Sequence, residues 1–357
     1  MRLLSVCSAR PNFVKLAAIE HALLKDRPDI EHIIVHTGQH YDPLLSDVFF
    51  QELAIPQPKK NLGIHGGSRE EMIHRTTQAL LPVLDEYKPD WVLVYGDVNG
   101  ALGAARAAQE LGIKIAHVEA GLRSGDLDMP EEHNRIGIDA IADVLFCTEQ
   151  AAVDHLRKEK VPGSIRLVGN TMIDTLLQMS SLIEKEEMPI DIDGTYGVVT
   201  LHRPSNVDDR KTLTAMMEFL GEAAARSQLV IPVHHRLRLH LQEFDLMTSV
   251  PNNIRLIESL GYIPFLRLMK DAAFVLTDSG GIQEEAVLLQ KRCFTLRRNT
   301  ERPVTIESGS NVLIDPAKEE DRKKVLDFAA EPQPPEVKVP PLWDGNAGKR
   351  IVDLLAA

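Results

Sequence analysis

Short runs of Val, Ile and Leu alternate with longer amphipathic stretches along nearly the whole chain, and the alternation starts twice. The first series holds "RLLSV" (2–6), "HIIVHT" (32–37), "WVLVYGD" (91–97), "KIAHVEA" (114–120), "VLFCTE" and "IRLVGN". The second holds "VVTLH" (198–202), "LVIPVHH" (229–235), "IRLIES", "FVLTDSGG", "CFTLR" and "NVLID". A strand apolar over four or five consecutive residues is buried on both faces, and helices between successive strands supply the cover. Helical patterns stand where that demands them, at about 12–25, near 69–87, in "GALGAARAAQELG" and "PEEHNRIGIDAIA", near 209–226 and in "PFLRLMKDA".

The expected fold class is therefore α/β, with two doubly wound Rossmann-like domains facing a cleft. A helix at 171–187 runs into "MPIDIDGTYG", a Pro-, Asp- and Gly-rich linker between a first domain at 1–170 and a second at 190–340. Proline keeps "EPQPPEVKVPPLWDG" (331–345) out of regular structure. A final helix over 346–357 is expected to pack back on the first domain. A length of 357 residues suits two such domains.

A formal net charge of −12 argues against nucleic acid or an anionic membrane as partner, since both want a basic surface. The opening "MRLLSVCSARPNFVKL" has too short an apolar run for a signal peptide, and no stretch approaches a membrane span. Cys7, Cys147 and Cys293 each lie in a strand-like run and read as small buried hydrophobes in a reducing compartment. A cytoplasmic protein is expected.

In open α/β sheets ligands bind at the carboxyl ends of strands, so the residues directly after each strand form the useful list. Arg10 and Lys15 follow the first strand, Asp97 and Glu119 follow two others, and Glu131, Glu132 and Arg135 open a helix behind Pro130. In the second half come His202, His234 with His235, and Asp278-Ser279-Gly280-Gly281. Glycines let a ligand approach the backbone closely, and a helix start presents free N–H groups to an anion. Ser279 as a plain helix cap is the competing reading. Arg10, His202 and Arg302 tilt the balance toward a diphosphate, and a glutamate one turn on, Glu284 or Glu285, suits a ribose diol.

No G-x-G-x-x-G follows the first strand, no G-x-x-x-x-G-K-[ST] occurs, and no His or Cys spacing fits zinc. No nicotinamide, metal or other cofactor is expected. Asp97 reads as functional or turn-forming. Glu119 ends a strand buried on both faces, where a lone carboxylate is costly. It is either paired, with Arg123 or Arg135, or kept for proton chemistry. Glu131 is either a first-turn acid or a third proton-transfer group.

These residues sit in motifs that resemble the non-hydrolysing UDP-N-acetylglucosamine 2-epimerases over nearly the whole chain. The resemblance rests on "SARPNFVKL", "TGQHYD" (37–42), "VLVYGDVN", "HVEAGLRSGDLDMPEEHNR" (117–135), "LHRPSNVDD" (201–209), "PVHHR", "LTDSGGIQEEA" and "TERP" (300–303). It implies a glycosyltransferase-B-like fold, a homodimer, and a UDP-sugar substrate. By motif it assigns Asp97, Glu119, Glu131 and His202 to catalysis. It assigns Arg10, Lys15, Arg135, His234, Phe265, Ser279, Gly280, Gly281, Glu285 and Arg302 to substrate. Phe265 lies along the uracil and Glu285 takes the ribose hydroxyls. Gln39 and His40 match a segment that forms a second, regulatory site in some members.

The implied reaction interconverts UDP-GlcNAc and UDP-ManNAc. The C2 proton is not beside a carbonyl, so UDP is eliminated to give 2-acetamidoglucal and then re-adds, with the proton returned to the other face. Several motif positions depart from the family's usual reading: "HRPSN" for "HRREN", "LQKR" for "LGKP" and Val304 after "TERP". They leave open a diacetamido-uronic acid substrate, or a hydrolysing enzyme that releases ManNAc and UDP.

Overall fold

The computed structural model describes residues 1–38 and 43–357, with only the backbone for 43–47. The chain forms two compact units, Met1–Met179 with Pro340–Ala357, and Ser180–Val339. In the first unit the described strands are β1 (Arg2–Cys7), β2 (Glu31–His36), β3 (Lys60–Asn61), β4 (Trp91–Tyr95), β5 (Lys114–Val118), β6 (Val144–Cys147) and β7 (Ser164–Leu167), in the order 3-2-1-4-5-6-7. In the second they are β8 (Tyr196–Thr200), β9 (Gln228–Pro232), β10 (Ile254–Ile257), β11 (Phe274–Thr277), β12 (Arg292–Thr295) and β13 (Asn311–Leu313), in the order 10-9-8-11-12-13. Every pairing is parallel. The α/β class with two doubly wound sheets is thus what the chain adopts.

The apolar runs explain the sheets. Leu4 pairs with Ile33 on one side and Val92 on the other, and Val6 with Val35 and Val94. All six are essentially buried, and each such side chain contributes roughly 1.5–3 kcal/mol. The Ala-rich helix Asn99–Glu110 lies close to the helix Arg69–Tyr87, because Gly103 leaves room for Thr76: a Cβ there would sit 2.7 Å from the Thr76 Cβ. A bulkier residue at 103 would force the two helices apart.

The C-terminal helix Ala347–Ala356 packs on the helix Arg10–Asp26 within the first unit. Asp174 accepts from the Gly348 N–H at 2.7 Å, capping that helix, and burial pushes its carboxyl up to about 6. Trp343 donates from Nε1 to the Thr148 carbonyl at 3.1 Å, anchoring the proline-rich approach.

Several elements depart from the pattern read in the sequence. The run 229–235 ends as a strand at Pro232, and a helix begins at His235 and runs to Glu243. The helix Glu319–Ala330 buries only Val325 and Ala329, so its charged sequence gave no apolar stripe to find. The two-residue β3 is too short to show in composition. Among the described residues, no helix is long and apolar enough to cross a membrane.

Candidate active site

Each sheet reverses its strand order at one place, between β1 and β4 in the first unit and between β8 and β11 in the second. The loops leaving these strands splay apart, which makes the switch point the usual place for a ligand.

In the first unit, Asn12 binds the loop after β1 to the end of β4. Its Oδ1 accepts from the Ser8 and Ala9 N–H groups at 3.0 and 3.1 Å, and its Nδ2 donates to the Tyr95 carbonyl at 3.0 Å. One turn on, Lys15 is buried with Nζ 2.7 Å from Glu119 Oε1. Gly96 makes the approach possible: with φ +62°, a Cβ there would lie 3.0 Å from Lys15 Nζ and 3.3 Å from Glu119 Oε1. Glu119 itself holds φ +72°, a left-handed backbone that costs a non-glycine residue of order 1–3 kcal/mol and recurs at functional sites.

Arg135 is buried beside this pair and bridges two carboxylates, Asp97 and Glu132, the latter at 2.5 Å. Glu132 also accepts from the N–H groups of Ser124 and Gly125, each at 3.1 Å, ordering the loop before its helix Pro130–Asp139. Asn134 donates to the Asp97 carbonyl at 2.8 Å. Glu131 is exposed on the same helix, whereas its neighbour Glu132 is 1% exposed.

Glu119 thus pairs with Lys15, a partner not weighed from the sequence. Arg123 is drawn to Asp139 at 2.8 Å and Glu159 at 2.6 Å, and Arg135 to Asp97 and Glu132. Sequence distance hid the Lys15 pairing, since it joins a helix after β1 to the end of β5. Arg10 places its guanidinium 5.2 Å from the centre of the Phe49 ring, a cation–π contact. Gln39 and His40 lie outside the described residues. Among the described residues, no group of three or more His, Cys, Asp or Glu is placed to hold a metal ion.

In the second unit Asp278 organises the switch point from within. Fully buried, it accepts from the His202 and Arg203 N–H groups at 3.0 and 2.9 Å and from Asn206 Nδ2 at 3.1 Å. It also meets His202 Nδ1 at 2.8 Å. Burial works against its charge, but the His202 ring and the backbone donors outweigh that and hold the carboxyl below its ordinary range. The sequence lists Asp278 among the strand-end residues without a role of its own. The rule that flagged Glu119, a carboxylate ending a doubly buried strand, also finds it.

Ser279 stands at the cap position of the helix Gly280–Leu288 but makes no side-chain cap bond. Its own N–H donates to Thr277 Oγ1 at 3.0 Å. Gly280 packs against Arg302 and Glu301, with a Cβ there only 2.8 Å from Glu301 Oε1. The buried Arg302 guanidinium lies between Glu301 and Glu284, with Nε 3.0 Å from Glu284 Oε1. Gln283, another residue the sequence did not single out, ties three segments together. It donates to the Ser279 carbonyl at 3.0 Å and accepts from Thr300 at 2.8 Å and Asn311 at 2.9 Å.

Glu285 is 4% exposed; burial first, then the charge of Glu284, pushes it up to about 8, against the lowering effect of the Tyr262 hydroxyl. Phe265 is partly buried between two apolar clusters. The His234 ring caps the helix His235–Glu243, accepting from the Arg236 N–H at 3.2 Å, and lies 5.5 Å from the His202 ring. The structure thus gathers Lys15, Asp97, Glu119 and Arg135 in one unit, and His202, His234 and the 279–281 loop in the other. Glu131 stands apart from the buried cluster.

A family model described as UDP-N-acetylglucosamine 2-epimerase matches residues 22–356. The UDP-N-acetylglucosamine 2-epimerase of Methanocaldococcus jannaschii is 39% identical over 368 residues, covering 99% of both chains. The chain belongs to the UDP-N-acetylglucosamine 2-epimerase family. The crystal structure of that archaeal relative, in complex with UDP-GlcNAc and UDP, matches with a TM-score of 0.92 at 38% identity, over 100% of this chain and 99% of that one. Within the same family range, the UDP-2,3-diacetamido-2,3-dideoxy-D-glucuronate 2-epimerase of Pseudomonas aeruginosa is 38% identical over 325 residues, 89% of this chain and 90% of that one. The solved glycotransferase of kitacinnamycin, at 12% identity and a TM-score of 0.57, over 99% and 98% of the two chains, shares the fold alone.

Proposed function

We propose that this epimerase is non-hydrolysing and interconverts UDP-GlcNAc and UDP-ManNAc. The observation that carries the reading is the buried Lys15–Glu119 pair, held beside Asp97 by a glycine and a left-handed backbone. Carboxylates kept at this expense suit proton transfer at a carbon. In this reading the C2–H bond breaks as its proton passes to a carboxylate, the C1=C2 double bond forms, and the C1–O bond releases UDP. UDP then re-adds at C1 as a proton is delivered to the opposite face of C2. Asp97, Glu119 and Glu131 are the proton-transfer groups, and Arg135 holds Asp97.

The second unit takes the UDP in this proposal. His202, its Nδ1 engaged by Asp278, turns the other ring nitrogen to phosphate, and the 279–281 backbone adds N–H donors. Arg10 and Lys15 add positive charge for the departing diphosphate, with Arg302 and His234 supporting. Glu285 takes the ribose hydroxyls and Phe265 the uracil. The archaeal relative with UDP-GlcNAc and UDP supports this substrate. The reading includes a cytoplasmic homodimer serving surface polysaccharide synthesis, on the family resemblance alone.

A second substrate stays in view because the diacetamido-glucuronate epimerase is as similar as the UDP-GlcNAc relatives. Proton NMR with UDP-GlcNAc in D2O tests the reading. UDP-ManNAc with deuterium at C2 and only traces of free UDP is the expected outcome. Accumulating ManNAc and UDP would make the enzyme hydrolysing, and no reaction would send the assay to the diacetamido-uronic acid sugar.

A further inference from the structure

His117 lies inside the first unit with none of its surface exposed. It sits on β5, two residues before Glu119, and both of its ring nitrogens are engaged. Nε2 is 2.8 Å from the Gly96 carbonyl oxygen, and Nδ1 is 2.7 Å from Asp139 Oδ1. A carbonyl oxygen only accepts, so Nε2 carries hydrogen. Asp139 is itself buried and accepts from the Gly121 N–H at 3.1 Å and Arg123 Nη2 at 2.8 Å. Burial opposes its charge, but the His117 ring and Arg123 outweigh that and hold the carboxyl below its ordinary range.

Gly96 is thus held to β5 through both of its backbone groups: its N–H donates to the Val118 carbonyl at 2.9 Å and its carbonyl accepts from His117. Gly96 is the residue that faces the Lys15–Glu119 pair, and Asp97 follows it directly. Rotation of the 96–97 peptide would turn Asp97 away from Arg135.

We infer that His117 is a positioning residue for the Asp97–Glu119 cluster, its ring held by Asp139 so that Nε2 fixes the 96–97 peptide. The inference rests on the epimerase reading for its kinetic consequence only. A misplacement of about 1 Å at a reacting group is enough to lose roughly a hundredfold in rate.

Two measurements test it. Nitrogen NMR of the wild-type protein, labelled in histidine and assigned by the signals missing from His117→Gln, is expected to show Nε2 protonated, as its bond to the Gly96 carbonyl requires. Kinetics of folded His117→Gln on UDP-GlcNAc are expected to show kcat down about a hundredfold with KM and UDP affinity within about threefold. A ring with a bare Nε2, or a variant with wild-type kcat, overturns the inference. So does a loss of UDP affinity and melting temperature in step with kcat, which marks a folding role alone. Wild-type protein inert to UDP-GlcNAc with Nε2 of His117 protonated overturns the epimerase reading and leaves the clamp standing.

Discussion

Where β1 meets β4, the chain gathers Lys15, Asp97, Glu119, Glu132 and Arg135, each carboxylate held against a cation. Where β8 meets β11, one buried carboxylate, Asp278, turns inward to collect backbone N–H groups and a histidine. The glycine loop beside it offers its main chain. The two switch points share their strand order, so topology does not account for the difference. Paired side chains are what proton transfer needs, since their protonation depends on the partner. A backbone loop held by a hidden carboxylate is what anion binding needs, since it adds no negative charge to the open face.

Breaking the first arrangement should do the most damage. Lys15→Met leaves Glu119 buried without its cation, and an orphaned buried charge costs about 3–5 kcal/mol. Urea unfolding followed by circular dichroism is the check; a loss under about 1 kcal/mol would mean that Glu119 is content without Lys15. Asp278→Asn is gentler. It keeps one acceptor oxygen while losing the charge that serves His202 and Arg203, so the expected loss is about 1–3 kcal/mol. UDP affinity, read by calorimetry, should fall with it because the loop after β8 loosens. Affinity unchanged in the folded variant would remove Asp278 from the organisation of that loop.

The same comparison divides what the sequence discloses from what it hides. Both sheets could be read from composition, because a parallel strand buried on two faces has to be apolar throughout. Some candidate residues could be listed too, since Asp97, Glu119, His202 and Asp278 come within two residues of a strand's end. Who pairs with whom could not. Lys15 and Glu119 are brought together by the crossing of β1, β4 and β5, and nothing local to either residue says so. Nor could adjacent carboxylates be separated by eye: Glu132 is buried on Arg135 while Glu131 is exposed, a matter of helix phase at a helix start. Gln283, and the role of Asp278, are hidden because their partners lie in backbone and in loops far along the chain.

Glu285 supplies a sharper test on the second side. Its carboxyl is raised from an ordinary value of 4.5 to about 8 in the folded chain, by burial and by Glu284. The folded state therefore binds this proton more tightly than the unfolded state does. Its contribution is fully present below about 4.5 and is lost as pH rises toward about 8. Within that window it lowers stability by up to about 1.4 kcal/mol per pH unit. Glu285→Gln should flatten the stability profile by one proton's worth of slope and weaken UDP binding. Urea midpoints across the window check the first part, and an unchanged slope would place the titration elsewhere.

The smallest effect concerns backbone. Gln290 ends the helix Gly280–Leu288 at φ +57°, with its N–H on the Val287 carbonyl and the Lys291 N–H on the Ala286 carbonyl, the bond pattern of a Schellman cap. Glycine is the residue that adopts this conformation without strain, so Gln290→Gly should stabilise the chain by about 0.5–1 kcal/mol. The loss of the Gln290 side-chain bond to the Val287 carbonyl at 3.0 Å offsets part of this gain. Glu119 holds the same kind of backbone at φ +72°, yet Glu119→Gly should lose stability, because relief of strain there strands Lys15. Thermal melts of the two glycine variants are expected to move in opposite directions. A rise in both would mean that the left-handed turn at Glu119 is strain alone and that the pair with Lys15 contributes nothing to holding it.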